Sequence, residues 1–260
     1  MRILATNDDG QYAQGLWTMV KALKALGEVV VVAPDREQSA VGTSVTLHHP
    51  LRAREVPPLV EGVTSFSVEG TPADCVILAL GHLIDGDVDI VVSGINEGPN
   101  LGDDVLISGT VGAALQGYLR GLPSVAVSVG ALEGCHFDVA AHLAAIVVAR
   151  IAQGSLPRRI LLNINLPNQP LECIQGLEVT QLGQRRYVDT IAEGHDGKRE
   201  YYWIVRGTPE WMLNEGTDIW ALSHDRISIT PLHAVTTNPR VLSKLTALSP
   251  AMFRELSHQG

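Results

Sequence analysis

Four short segments of this chain combine residue types that could do chemistry. Asn7-Asp8-Asp9-Gly10 follows directly on the apolar run at 2–6 (RILAT), which places two adjacent carboxylates after a strand. Neighbouring side chains diverge, so both can reach one cation only in a sharply turned loop, which Gly10 permits. Hard oxygen donors of this kind suit Mg²⁺ or Mn²⁺ rather than zinc. The same residues also make an Asx-turn leaving a strand with both carboxylates solvated, and nothing inside the segment decides between the two. The second segment, 93–102 (SGINEGPNLG), holds three glycines and two asparagines within nine residues. Its glycines let the backbone approach an anion, and Asn96 offers an amide oxygen to a metal or an NH₂ to phosphate. Read alone, it is equally a Gly-rich surface loop.

The third segment, Ser108-Gly109-Thr110-Val111-Gly112, opens a helix, where free N–H groups and the helix dipole favour an anion. Ser108 or Thr110 would serve there equally as a plain cap. The fourth, Asp35 to Gly42, follows the second apolar run and carries Ser39, whose hydroxyl could complete an oxygen shell. Other signatures are absent: there is no GxGxxG, no GxxxxGK[ST], no HExxH and no GxSxG. Residues 126–130 (AVSVG) come nearest to the last and read better as alternation along a strand. The nine histidines form no metal-spaced cluster, and His48 and His49 read as surface residues.

These segments need a scaffold, and the pattern supplies one. Runs at 2–6, 29–34, 89–94, 123–129 and 160–165 are apolar on both faces, as strands buried in a parallel sheet are. Helical periodicity lies between them at 14–26, 72–82, 110–120 and 137–152. Thr71-Pro72-Ala73-Asp74 opens one helix with a capping-box spacing and Pro in the first turn. Such alternation implies an α/β fold with a Rossmann-like, doubly wound, mostly parallel sheet. The 3-2-1-4 strand order would bring Asp9 and Asn96 to one crevice. The chemical segments would then share the carboxyl edge, where open α/β sheets bind ligands.

Composition narrows the class. The chain has 260 residues, 45% hydrophobic and 18% charged, enough for a large core. Lys plus Arg is 19 against 28 Asp plus Glu, a net charge of −9, which argues against coating nucleic acid or an anionic membrane. No apolar stretch reaches the ~18 residues of a membrane span. Cys75, Cys135 and Cys173 are isolated, as reduced cysteines of a cytoplasmic protein are, and the N-terminus has no apolar signal core.

After Pro167 the texture changes. Six of the twelve aromatics (Tyr187, Tyr201, Tyr202, Trp203, Trp211, Trp220) lie between 185 and 220, interleaved with Arg185, Arg186, Lys198 and Arg199. This predicts an antiparallel arm in 171–235, followed by an amphipathic helix at 238–258. The division expected is a catalytic domain at 1–170 and an arm with C-terminal helix at 171–260. Tyr, Trp and Arg favour interface cores, so the arm reading implies a homodimer, with a tetramer left open. The same aromatics could instead pack on the chain's own sheet.

Taken together, seven blocks resemble the SurE survival-protein family of metal-dependent nucleotide phosphatases. They are NDDG at 7–10, APDREQSAVG at 33–42, VEGTPADCV at 68–76, SGINEGPNLG at 93–102, SGTVGAA at 108–114, NINLP at 163–167, and TD with SITPL at 217–218 and 228–232. The resemblance implies hydrolysis of nucleoside monophosphates by a 5′-nucleotidase, with short polyphosphate as a further substrate. It carries metal ligation to Asp8, Asp9, Ser39 and Asn96, with one Mg²⁺ or Mn²⁺ per subunit. Catalysis would fall to Asp8, Asp9 and Asn96, and phosphate contact to Asn100, Ser108, Gly109 and Thr110. Pro99 departs from the family pattern, where a small residue is expected, and removes one backbone N–H donor. A non-catalytic nucleotide-binding module and a nucleotide-sugar transferase are the rival readings; metal-dependent phosphate release separates them.

Overall fold

The computed structural model describes residues 1–186, 191–204, 210–234 and 237–257. Thirteen strands are formed among them: β1 Arg2–Thr6, β2 Glu28–Pro34, β3 Ala53–Glu55, β4 Thr64–Val68, β5 Ile90–Glu97, β6 Ser124–Val129, β7 Leu161–Leu166, β8 Gly176–Val179, β9 Arg185–Arg186, β10 Ile191–His195, β11 Glu200–Ile204, β12 Glu210–Trp211 and β13 Arg226–Leu232. Six longer helices accompany them: α1 Gln14–Leu23, α2 Pro72–Leu78, α3 Gly109–Leu119, α4 Phe137–Ala152, α5 Asp218–Ser223 and α6 Pro239–Ser257.

Nine strands make one sheet in the order β3-β4-β2-β1-β5-β6-β7-β13-β8. Its centre, β4-β2-β1-β5-β6-β7, is parallel throughout and is the doubly wound order 3-2-1-4-5-6 in those six strands. The alternating pleat divides the core. Ile3 and Ala5 face α1 and α4, whose Leu16, Met19, Val20, Ala140 and Val148 cover that side; Leu4 faces α2, through Cys75 and Val76. The expected capping box is formed: Thr71 Oγ1 accepts from the Asp74 N–H at 3.1 Å and Asp74 accepts from the Thr71 N–H at 2.9 Å. Together these bonds satisfy two otherwise orphaned donors, stabilising the helix by about 1 kcal/mol.

One detail differs from the sequence pattern. β5 does not stop at Gly94 but continues to Glu97, because Asn96 and Glu97 pair with Ser128 and Val129 after a register shift at Ser93. Such a bulge re-aims the strand's last side chains. β6 is buried on both faces, Ser128 included, as the run at 123–129 predicts.

In the C-terminal third, β13 runs antiparallel to β7, and β8 lies beyond it, so both extend the main sheet. Trp220 belongs to α5, where it stacks on His224 at 4.3 Å, and is not part of the arm. The arm itself comprises the pair β9–β12 and the hairpin β10–β11, with Tyr201, Tyr202 and Trp203 exposed. Tyr187 lies outside the described residues. The final helix spans 239–257, as the periodicity predicts, with Pro250 inside it and Leu242, Leu245, Leu248 and Phe253 exposed. Among the described residues no helix is long and apolar enough to cross a membrane.

Candidate active site

The site grows from the end of β1. The Asn7 amide donates to the Gly10 carbonyl at 3.0 Å and closes the turn that carries both carboxylates. Gly10 adopts φ +103°, and a Cβ there would also meet the Arg36 backbone at 3.1 Å, so the turn requires glycine. Asp8 points inward. It is buried, its Oδ1 accepts the Thr110 hydroxyl, and its side chain rests on Gly109, where an added Cβ would lie 2.8 Å from Asp8 Cβ. Asp9 turns outward and accepts from the Glu97 N–H at 3.4 Å.

The 35–42 loop folds over this turn, because the Gln38 N–H donates to the Asp8 carbonyl at 2.7 Å. Ser39 thereby joins Asp9, Ala13, Glu37, Glu97 and Leu132 around an open cavity of about 360 Å³. The Ser39 hydroxyl donates to Glu37 at 2.6 Å. Asn96, at the kinked end of β5, donates its NH₂ to the carbonyls of Gly98 at 2.6 Å and Glu97 at 3.3 Å, which leaves its amide oxygen for a ligand.

Asn100 is held from the sheet. Its N–H donates to Asn165 Oδ1 at 2.8 Å, while its carbonyl accepts from Asn163 at 2.8 Å and Asn165 at 3.0 Å. Its side-chain NH₂ donates to Ser128 at 2.8 Å. Ser108 caps α3 by accepting from the Val111 N–H at 3.1 Å. Of the four residues expected at the phosphate, Ser108 and Thr110 therefore have their hydroxyls engaged within the chain, one on the helix and one on Asp8. The Thr110 N–H is also turned on Asp8, so the Gly109 N–H is what this helix start offers an anion.

The electrostatics are those of a site built for a cation. Burial pushes the Asp8 carboxyl up to about 6, against the lowering effect of its bonds from Thr110. Burial, then the charge of Asp8, pushes Asp9 up to about 7. Among the described residues no Lys or Arg forms an ion pair with either. Nor do three His, Cys, Asp or Glu side chains gather into a ready metal shell. Two carboxylates beside the neutral oxygens of Asn96 and Ser39 fit a hard divalent cation, which relieves the repulsion that desolvation makes costly.

A family model described as Survival protein SurE matches residues 3–189. The chain belongs to the SurE family. A relative named 5′-nucleotidase SurE, from Dehalococcoides mccartyi strain CBDB1, is 54% identical over 235 residues, 90% of this chain and 89% of its own. Another of that name, from Geobacter metallireducens, is 46% identical over 259 residues, 99% of this chain and all of its own. The crystal structure of the SurE protein from Aquifex aeolicus aligns with a TM-score of 0.81 at 37% identity, covering 96% of this chain and 100% of that one. The family resemblance and the α/β fold expected from sequence are thus both borne out.

Within this SurE chain, Asp8 and Asp9 at the end of β1 lie beside the end of β5 that carries Asn96, joined to it by the Glu97 N–H on Asp9, and Ser39 lines the cavity that Asp9 faces. Sequence reasoning missed four contributors. Glu37 and Glu97 line the cavity, and Asn163 and Asn165 grip Asn100. The asparagines carried a signal: two amides inside a fully buried strand demand polar partners.

Proposed function

We propose that this chain is a divalent-metal-dependent 5′-nucleotidase, a phosphomonoesterase that converts nucleoside monophosphates to nucleoside and phosphate. The observation that carries the reading is the pair Asp8–Asp9, the first buried and the second half-buried, neither with a cationic partner among the described residues, beside the Ser39 loop, the end of β5 and the start of α3. Relatives 46–54% identical over nine tenths of the chain or more bear the name 5′-nucleotidase.

Asp8, Asp9, Ser39 and Asn96 would hold one Mg²⁺ or Mn²⁺ per subunit. When bound, such an ion supplies positive charge against the phosphoryl oxygens and acidifies water. The chain does the rest. Thr110 and Gly109 fix Asp8, and the Gly109 N–H at the start of α3 faces an equatorial oxygen of the phosphoryl group, the N–H groups of 110–112 being engaged within the chain. Asp9, the more open carboxylate, takes the proton of the attacking water. Asn100 and its supports frame the phosphate. Short polyphosphate presents the same terminal group and is a further substrate of this reading.

The exposed hairpin aromatics and the uncovered apolar face of α6 support a homodimer, in which each arm lies on a partner. Three free cysteines fit a reducing cytoplasm. The deciding experiment is phosphate release from a panel of nucleoside monophosphates with Mg²⁺, Mn²⁺ or EDTA. Release should require metal and stop on chelation. Full activity after exhaustive chelation, or nucleotide binding with no release, would overturn the reading.

A further inference from the structure

Asp218 opens α5 and is fully buried, yet among the described residues no cation pairs with it. A buried carboxylate in that position persists only where N–H donors replace its water. Three do: its own helix at Ile219 (2.8 Å), Gly102 at 2.8 Å, and Gly183 at 2.7 Å. The last two come from different parts of the molecule. One carboxylate oxygen accepts from Gly102, at the end of the loop that carries Asn100 and leaves β5 just after Asn96, and the other accepts from Gly183. The two backbones are in direct contact, since a Cβ on Gly102 would lie 2.7 Å from the Gly183 carbonyl oxygen.

Gly183 stands where the arm departs. The Asp218 N–H donates to Gln181 at 2.9 Å, the Gln181 N–H to Gly216 at 3.0 Å, and the Met212 N–H to Gln184 at 3.3 Å. The segment at 181–184 is therefore laced to 212–218, which together form the root of the arm. The 98–102 loop thus has two supports. Asn163, Asn165 and Ser128 hold its middle on the sheet, whereas Asp218 holds its end against the arm.

We propose that Asp218 is a positioning residue that sets the phosphate-framing loop and ties its placement to the root of the arm. The proposal rests on the reading of 98–102 as part of a phosphomonoesterase site. The TD pair at 217–218, prominent in the sequence, thereby gains a role.

The test uses Asp218→Asn in the full chain. The amide offers one oxygen and one NH₂, so it satisfies only one of the two N–H groups at a time. Hydrogen exchange read by mass spectrometry should show peptides covering 98–104 and 181–184 exchanging at least ~10-fold faster together. KM for a nucleoside monophosphate should rise by about 10-fold while kcat stays within about 3-fold, because the loop binds rather than reacts. Thr217→Val is the control: it removes the α5 cap on Trp220 and should lower the melting midpoint by a few degrees. It should leave KM and exchange at 98–104 unchanged. Wild-type exchange at 98–104 in Asp218→Asn, or the same change in both variants, would overturn the proposal. If Asp218→Asn does not fold, the unmodified protein decides: the Gly102 and Gly183 amides should open at rates within ~3-fold, and a difference beyond ~10-fold refutes the tie. Absence of any phosphate release would remove the nucleotidase reading, and the exchange measurements would still judge Asp218.

Discussion

The carboxyl edge of the sheet and the β10–β11 hairpin are opposites in how they treat water. At the edge, Asp8, Asn100, Asn163, Asn165 and Asp218 are all buried, and each is hydrogen-bonded by its own chain. In the hairpin, Trp203 is 65% exposed and Ile204 89%, with Tyr202 and Ile191 equally open. One region is polar and enclosed; the other is apolar and uncovered. An unmet hydrogen bond inside a protein costs about 1–3 kcal/mol, and the edge meets most of its bonds within the chain, while Asn7 Oδ1 and Asn163 Oδ1 find no partner among the described residues. Exposed aromatic surface carries no such local demand and is completed by association. The edge is therefore expected to depend on single atoms, and the hairpin on area.

The largest expected effect tests the edge. Asp9→Asn keeps shape and removes one ligand charge, so turnover should fall by at least ~10²-fold. The melting midpoint should hold or rise, since the repulsion with Asp8 is gone. A variant that keeps wild-type turnover would break the contrast outright. Next comes the hairpin. Trp203→Ala should raise the dimer dissociation constant by about 30-fold, the effect of a central interface Trp, with light scattering as the measurement. A wild-type protein that is a fully active monomer at micromolar concentration would end the arm reading.

A smaller effect sharpens the edge further. Thr110→Val leaves the buried Asp8 oxygen without its hydroxyl donor. Mn²⁺ binding measured by calorimetry should weaken about 10-fold, and Thr110→Ser should restore it. The smallest is a pH dependence of the metal-stripped protein. Asp8 and Asp9, at about 6 and 7, keep protons that an unfolded chain releases near 3.8. The stability these protons bring is present below pH ~4 and lost as pH rises through 6 and 7. Melting should thus be several degrees lower at pH 8 than at pH 5, and Asp9→Asn should remove most of that difference. A flat profile in the stripped wild type would show that these carboxyls are not raised.

The legible parts of the site were those written in consecutive residues. NDDG, SGINEGPNLG and SGTVG each follow or precede a strongly patterned element, so their position at the carboxyl edge could be read from the chain. Sheet order followed from the need to bring Asp9 and Asn96 together, and the bond from Glu97 to Asp9 is its result. What could not be read was pairing across distance. Asn163 and Asn165 look like ordinary strand residues until β7 lies beside the Asn100 loop. The insertion of β13 between β7 and β8 reverses chain order in the sheet, which no local periodicity encodes. β5 looked finished at Gly94 because a glycine there reads as a stop, while its neighbours on both sides carried it on.

The bond from Gly102 to Asp218 spans 116 residues of chain. At a synthesis rate of ~5–20 residues per second, those 116 residues take roughly 6–23 s to emerge. Asp8, Asp9, Ser39 and Asn96 are all made before that interval begins. A nascent chain therefore holds every candidate ligand long before the clamp that steadies its loop exists. On the proposed role of Asp218, the site is complete only once the C-terminal third is made, and a ribosome-bound fragment ending before α5 holds the candidate residues without Asp218.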